Sequence, residues 1–239
     1  MSDENKPAAK RFYEQASAVE TEAGFAVHLD DRPVRTPLGQ PFVVPTKSLA
    51  DAIVAEWQAQ GDTIDPTSMP ICGFANTAID RIGKERDTIT ATLLKYAETD
   101  LLCYRADQPE ELATRQSEQW QPLLDWAGET FQANFQVTAG VLPIDQSTET
   151  MQALNNAIAE LDDMELTAVA SLAAACGSLV LALALEKGRI TPHEAFQLSQ
   201  LDELFQSERW GLDSEAEARL DKLERDMASA AHFLALLRQ

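Results

Sequence analysis

The sequence predicts an α+β chain, with a small antiparallel β-rich domain over residues 1–66 and a larger all-helical domain over 67–239. Three observations carry this expectation. Apolar and polar residues alternate between Ala16 and Val44, prolines and glycine gather between Gly61 and Pro70, and apolar residues beyond Ile71 recur at helical spacing. At 239 residues, 45% hydrophobic and 24% charged, the chain has enough apolar content to bury such a core.

In the β-rich part, Phe25, Val27 and Leu29 alternate with Ala26 and His28, the period of a half-buried strand. Ala16 to Glu22 can pair back across Ala23-Gly24. Asp30-Asp31-Arg32-Pro33 is turn chemistry, because aspartate tolerates left-handed backbone and proline presets its own φ. Val34 resumes an extended segment, and Thr36-Pro37-Leu38-Gly39-Gln40-Pro41 turns the chain again before Phe42-Val43-Val44. Ser48 followed by Asp51 has the form of a capping box, opening a helix with Leu49, Ile53 and Trp57 on one stripe and Gly61 at its end. The prolines at 66 and 70 then mark a domain junction.

The helical part is expected to contain helices over Ile71 to Arg81 and Asp87 to Tyr104. Another starts at Pro109 and reaches Trp120, with Pro122 forcing a kink or restart. Gln132 to Ile144 is looser, with room for a short strand at Phe135 to Thr138. A helix over Glu149 to Leu161 follows. Leu166 to Leu185 is free of charge for 20 residues, long enough to cross a bilayer. Seven of those residues are alanine, which suits a buried central helix better than a lipid-facing one. Thr191-Pro192-His193-Glu194 combines a cap, a proline at the first helical position and a glutamate at the third. The helix it opens is expected to run to Gly211. A final helix begins near Asp213-Ser214, with Ala216, Leu220, Leu223, Met227 and Leu234 on one face.

The net charge of −20 repels phosphate backbones and argues against nucleic-acid binding. Cys72, Cys103 and Cys176 are far apart and flanked by apolar residues, the setting of reduced, buried thiols. Met1-Ser2-Asp3-Glu4-Asn5-Lys6 carries acids and lacks the apolar core of a secretory signal, so a cytoplasmic protein is expected. Nothing in the pattern supplies a phosphate loop, a metal-ligand pair or an activated nucleophile, and His28, His193 and His232 lack partners at one-turn spacing. Asp80-Arg81 and Asp100…Arg105 read as internal ion pairs. Asp162-Asp163-Glu165 and Glu215…Glu217 read as solvated faces or helix starts.

The most informative segment is Leu201-Asp202-Glu203-Leu204-Phe205-Gln206-Ser207-Glu208-Arg209-Trp210-Gly211. On a helix, Glu203 neighbours Gln206 and Ser207, Phe205 lies one turn from Arg209, and Trp210 one turn from Gln206. Acid, amide and aromatic groups together make an interface with an apolar anchor. The same pattern also fits Trp210 and Leu204 in the core, with Glu203 pairing with an internal arginine.

Arg11-Phe12-Tyr13, Gly24-Phe25, Leu29-Asp30-Asp31-Arg32-Pro33-Val34-Arg35-Thr36-Pro37 and Ala55-Glu56-Trp57 resemble the assembly chaperones of the F-type ATP synthase alpha subunit. So do Ala75-Asn76-Thr77-Ala78-Ile79-Asp80-Arg81, Asp100-Leu101-Leu102-Cys103-Tyr104-Arg105, Trp120-Gln121-Pro122-Leu123-Leu124-Asp125-Trp126 and the 201–211 segment. The resemblance spans most of the chain in one order and implies a β-rich domain followed by a helical one. It implies a monomeric chaperone that binds the unassembled alpha subunit and shields the surface that later meets the beta subunit. No covalent change, cofactor, nucleic acid or membrane insertion is implied. An acidic residue of the last motif is associated with function in this family, which transfers to Glu203 first and Asp202 second. Gln206 and Trp210 are the further central contacts, and Arg32 and Arg35 are polar contributors from the β-rich domain. Two positions depart from the family pattern: Asp31 stands where glycine is usual, and Phe205 replaces a larger aromatic. The resemblance points to a bacterial, cytoplasmic member of a family whose eukaryotic members work in the mitochondrial matrix. The competing reading is a hydrolase using paired carboxylates, which requires a deep polar cleft.

Overall fold

The computed structural model describes residues 9–140 and 142–239. The Met1–Lys6 stretch lies outside them. The chain is α+β and divides into two compact units: everything up to Gly83 together with His232–Gln239, and Lys84–Ala231.

The first unit is built on strand β2, Gly24–Leu29, which is antiparallel to β1, Ala16–Thr21. Its other edge takes β3, Arg32–Pro33, beside His28 and Leu29, and β4, Val43–Val44, beside Phe25 and Ala26. Gly24 is required: it has φ +131°, and a Cβ there would lie 2.4 Å from the Val44 carbonyl oxygen. Val27, Leu29, Phe42 and Val44 are buried with Leu49, Ala50 and Ile53 of helix α1, Lys47–Gln58. The left-handed residue of the following turn is Asp30, φ 52°, and not Asp31. Its carboxylate accepts the Glu14 and Gln15 N–H groups at 3.0 and 2.9 Å, and these bonds hold its pKa below the usual carboxylate value.

Helix α1 is capped by Thr46, not Ser48. The Thr46 hydroxyl accepts the Leu49 N–H at 3.2 Å and donates to the Leu236 carbonyl at 2.7 Å. The helix stops at Gln58, before Gly61, and Arg11 binds carbonyls at and just past its end, donating to Gln58 O at 3.4 Å and Gln60 O at 2.6 Å. Glu56 accepts the Ile71 and Cys72 N–H groups, each at 2.8 Å. It thereby caps α2, Pro70–Thr77, which has no side-chain cap of its own. Ile64 and Met69 are buried, so the Gly61–Pro70 stretch lies inside the first unit. A π-helical turn, Ala78–Ile82, joins α2 to α3, Gly83–Glu98. From this turn Asp80 accepts the Thr36 hydroxyl at 2.5 Å and the Leu38 N–H at 3.0 Å, fixing the 36–40 loop.

The second unit is mostly helical and, among its described residues, carries a two-residue parallel pair, β5, Tyr104–Arg105, with β6, Thr138–Ala139. After Glu98 the chain leaves the helix for a 3-10 turn, Leu101–Cys103, so the expected helix to Tyr104 ends early. Helix α4 runs without restart from Glu110 to Phe131 through Pro122, with Trp120, Leu123, Leu124 and Ala127 buried on either side of it. Next come α5, Thr148–Ala159, and α6, Asp163–Cys176, which opens on a capping box between Asp162 and Glu165. The charge-free segment is two helices rather than one. Gly177 turns left-handed at φ 66°, and Ser178 caps α7, Leu179–Glu186, all of it buried. Among the described residues, no helix is long and apolar enough to cross a membrane. Helix α8, Pro192–Ser199, has the expected capping box, and α9, Leu201–Trp210, follows it. The single helix expected from Thr191 to Gly211 breaks at Gln200, next to the Leu198 carbonyl that accepts the Trp120 indole N–H at 3.0 Å. Helix α10, Ser214–Leu236, buries Leu220, Met227 and Leu234.

Asp100 is fully buried and ties the 98–103 turn to α7. It accepts the Leu102 and Val180 N–H groups, each at 3.1 Å, and it does not pair with Arg105, which binds Gln121 and Ser117. Burial raises its pKa to about 6, against the downward pull of these bonds and of Ser178. The three thiols are buried as expected, and desolvation raises Cys72 and Cys176 to about 12 and Cys103 further.

Removing the carboxylate in Asp100→Ala leaves two buried N–H groups without an acceptor. Stability measured by denaturant unfolding should fall by about 3–5 kcal/mol. Because the folded pKa lies above the unfolded value of about 3.9, Asp100 contributes stability that is complete below pH ~4 and is lost as pH rises through 6. The variant should lack this component, seen as a different change in unfolding free energy between pH 4.5 and 7.

Candidate functional site: the α9 edge

Helix α9 opens with Asp202 and Glu203, whose charges suit the positive end of the helix dipole. Leu201 and Phe205, one turn apart, are buried and set the inner face. The guanidinium carbons of Arg115 and Arg209 lie 5.0 and 4.1 Å from the Phe205 ring centroid, each contact worth about 0.5–1 kcal/mol. The position that departs from the family's larger aromatic is therefore an internal platform for two cations.

The polar groups of α9 are engaged within the second unit. Asp202 accepts from the Gln116 amide at 2.6 Å, and Gln116, itself buried, accepts the Ala106 N–H at 2.7 Å through its oxygen. Both carboxylate oxygens of Glu203 accept from one guanidinium nitrogen, Nη2, of Arg219 in α10. Glu208 accepts from Arg115 at 2.7 Å, and that bond lowers its pKa. Arg209 donates to Glu111 of α4. Fixed this way, the helix leaves Gln206 exposed and Trp210 77% exposed. Gly211, at φ 76°, stops the helix, and Leu212 beyond it is 42% exposed.

The two readings of the segment thus divide by residue. Glu203 has its internal arginine, and Leu204 is half-buried, but Trp210 is on the surface. Asp202, Glu203, Gln206 and Trp210 share α9, whereas Arg32 and Arg35 belong to the first unit. Both arginines are exposed, and Arg35 donates to the Gly39 carbonyl at 2.9 Å within its own loop. Sequence reasoning missed Gln116, Arg115, Arg219 and Glu111. Only the Glu111–Arg115 spacing of four residues carried a local signal.

A hydrolytic site would need acids with raised pKa in a cleft. Among the described residues, the two acids raised by burial are Glu56 and Asp100, and both bind backbone N–H groups as helix or turn braces. An open groove of about 780 Å³ in the second unit is lined by Phe131, Gln152, Asn156, Glu160 and Lys187. Among the described residues, no group of His, Cys, Asp and Glu could hold a metal ion.

Glu203→Lys should bring two cations together at the α9–α10 contact. The pair is partly exposed, so unfolding free energy should drop by only about 0–1 kcal/mol. The swapped pair, Glu203→Arg with Arg219→Glu, should recover that loss. Recovery is checked by thermal unfolding of the two single variants and the double one.

The model of the ATP12 chaperone protein family matches residues 10–128. The crystal structure of Atp12 from Paracoccus denitrificans is 44% identical, with a TM-score of 0.92 over 96% of this chain and 99% of that one. A solved protein of Agrobacterium tumefaciens is 38% identical, with a TM-score of 0.90 over 98% and 87% of the two chains. The mitochondrial protein atp12 of Schizosaccharomyces pombe is 26% identical over 243 residues, spanning 95% of this chain and 82% of its own. At these identities and coverages, the chain belongs to the ATP12 chaperone family, the ATP synthase assembly chaperones whose motifs its sequence carries.

Proposed function

We propose that this chain binds the free alpha subunit of the F-type ATP synthase head and keeps it from self-associating until the beta subunit replaces the chaperone. An unassembled subunit exposes an apolar interface prone to aggregation, and a binding protein that covers it needs no covalent chemistry or cofactor. The observation that carries this reading is Trp210, 77% exposed at the end of a helix whose carboxylates are all held by neighbouring residues. A large aromatic left in water on a braced helix is the usual form of an interface anchor. Gln206 lies one turn away and offers an amide to the same partner. In this reading Asp202 and Glu203 hold the edge in place, and Arg32 and Arg35 add polar contacts from the first unit. The chaperone works as a monomer in the bacterial cytoplasm.

Co-expression with the alpha subunit of the same organism tests this. The alpha subunit should co-purify with this chain, and its light scattering at micromolar concentration should fall when the chain is present in equal amount. Absence of both effects contradicts the proposal.

A further inference from the structure

Building on the alpha-subunit reading, we propose the chemistry of the surface that the α9 edge fits: an apolar pocket bordered by lysine or arginine, into which Trp210 and Leu212 insert. The two side chains stand on either side of Gly211, 77% and 42% exposed, and form an apolar knuckle at the turn into α10. The cations around the knuckle are neutralised from within: Arg115 by Glu208 and Glu111, Arg209 by Glu111, and Arg219 by Glu203. The acids that follow are not. Asp213 accepts the Glu215 and Ala216 N–H groups, and the exposed Glu215 and Glu217 occupy the first turn of α10. No ion pair engages Glu215 or Glu217 among the described residues. The surrounding field has the same sign. Residues 84–231 hold 27 Asp and Glu against 11 Lys and Arg, whereas the rest of the chain holds 12 against 8.

This charge decides among occupants. A second copy of the chain would bring two acidic turns together, and an anionic membrane surface would be repelled in the same way. A partner with a basic rim is steered toward the knuckle over a distance set by the Debye length, about 10 Å at 0.1 M salt. The apolar insertion then holds the complex. Rim charges govern how fast two proteins meet, and buried aromatic anchors govern how slowly they part.

Association and dissociation rates with purified alpha subunit separate these roles. The parent chain should associate roughly ten times more slowly when salt rises from about 20 to 200 mM. Trp210→Ala should leave the melting temperature unchanged, since the side chain lies in solvent, and should raise the dissociation rate at least about tenfold. Glu215→Gln with Glu217→Gln should slow association and flatten its salt dependence while leaving dissociation unaltered. Association indifferent to salt, or a Trp210→Ala complex that dissociates like the parent, overturns this inference and leaves the alpha-subunit reading standing. No binding by the parent chain at any salt concentration overturns both.

Discussion

Each carboxylate of α9 is bonded to a side chain from another helix, and the placement of the α9 edge depends on this. Asp202 holds Gln116, Glu203 holds Arg219 and Glu208 holds Arg115, so one short helix is bonded to both α4 and α10. Each exposed pair contributes little to stability alone. Together with the cations beside Phe205, they hold the helix to its neighbours, and Gly211 ends it. A ten-residue helix that buries only Leu201 and Phe205 would gain little from that burial alone. Bracing by charge leaves Trp210 free of any structural duty in the core.

The same device recurs through the chain, with carboxylates acting as backbone acceptors. Glu56 caps α2 from α1, Asp80 fixes the 36–40 loop, Asp30 gathers the N–H groups of Glu14 and Gln15, and Asp100 anchors the start of α7. All four lie in segments that carry the family resemblance. Their chemistry is that of a scaffold, because each carboxylate is committed to donors within its own unit. The acidity of the chain therefore has two parts. A minority of acids shape the fold, and the exposed remainder, concentrated in residues 84–231, sets the field around the α9 edge.

What could be read from the sequence was local. The α+β class followed from the alternation at Phe25–Leu29 and from the helical periodicity beyond Ile71. The capping box at Thr191 was legible because cap, proline and glutamate sit within four residues of one another. Features set by distant partners were hidden. Thr46 replaces Ser48 as a cap because its hydroxyl also meets Leu236, 190 positions away in the chain. The break at Gln200 lies beside a carbonyl that bonds Trp120, and Glu203 finds Arg219 across the turn from α9 to α10. Gly177 was visible within the charge-free segment, but alanines on both sides masked its left-handed turn. The candidate site was legible as a segment and not as roles. The pattern left Trp210 open to either a core or an interface place, and the structure puts it in water at the helix end.

We propose that the turn from α9 to α10 is the surface that meets the client. Amide hydrogen exchange of this chain, alone and with saturating alpha subunit, reads that surface directly. Exchange within the second unit should slow only around Gln206 to Glu217, with α5 and α6 unchanged. Protection centred on the α4–α5 groove, with the Trp210 turn exchanging as in the free chain, would contradict it.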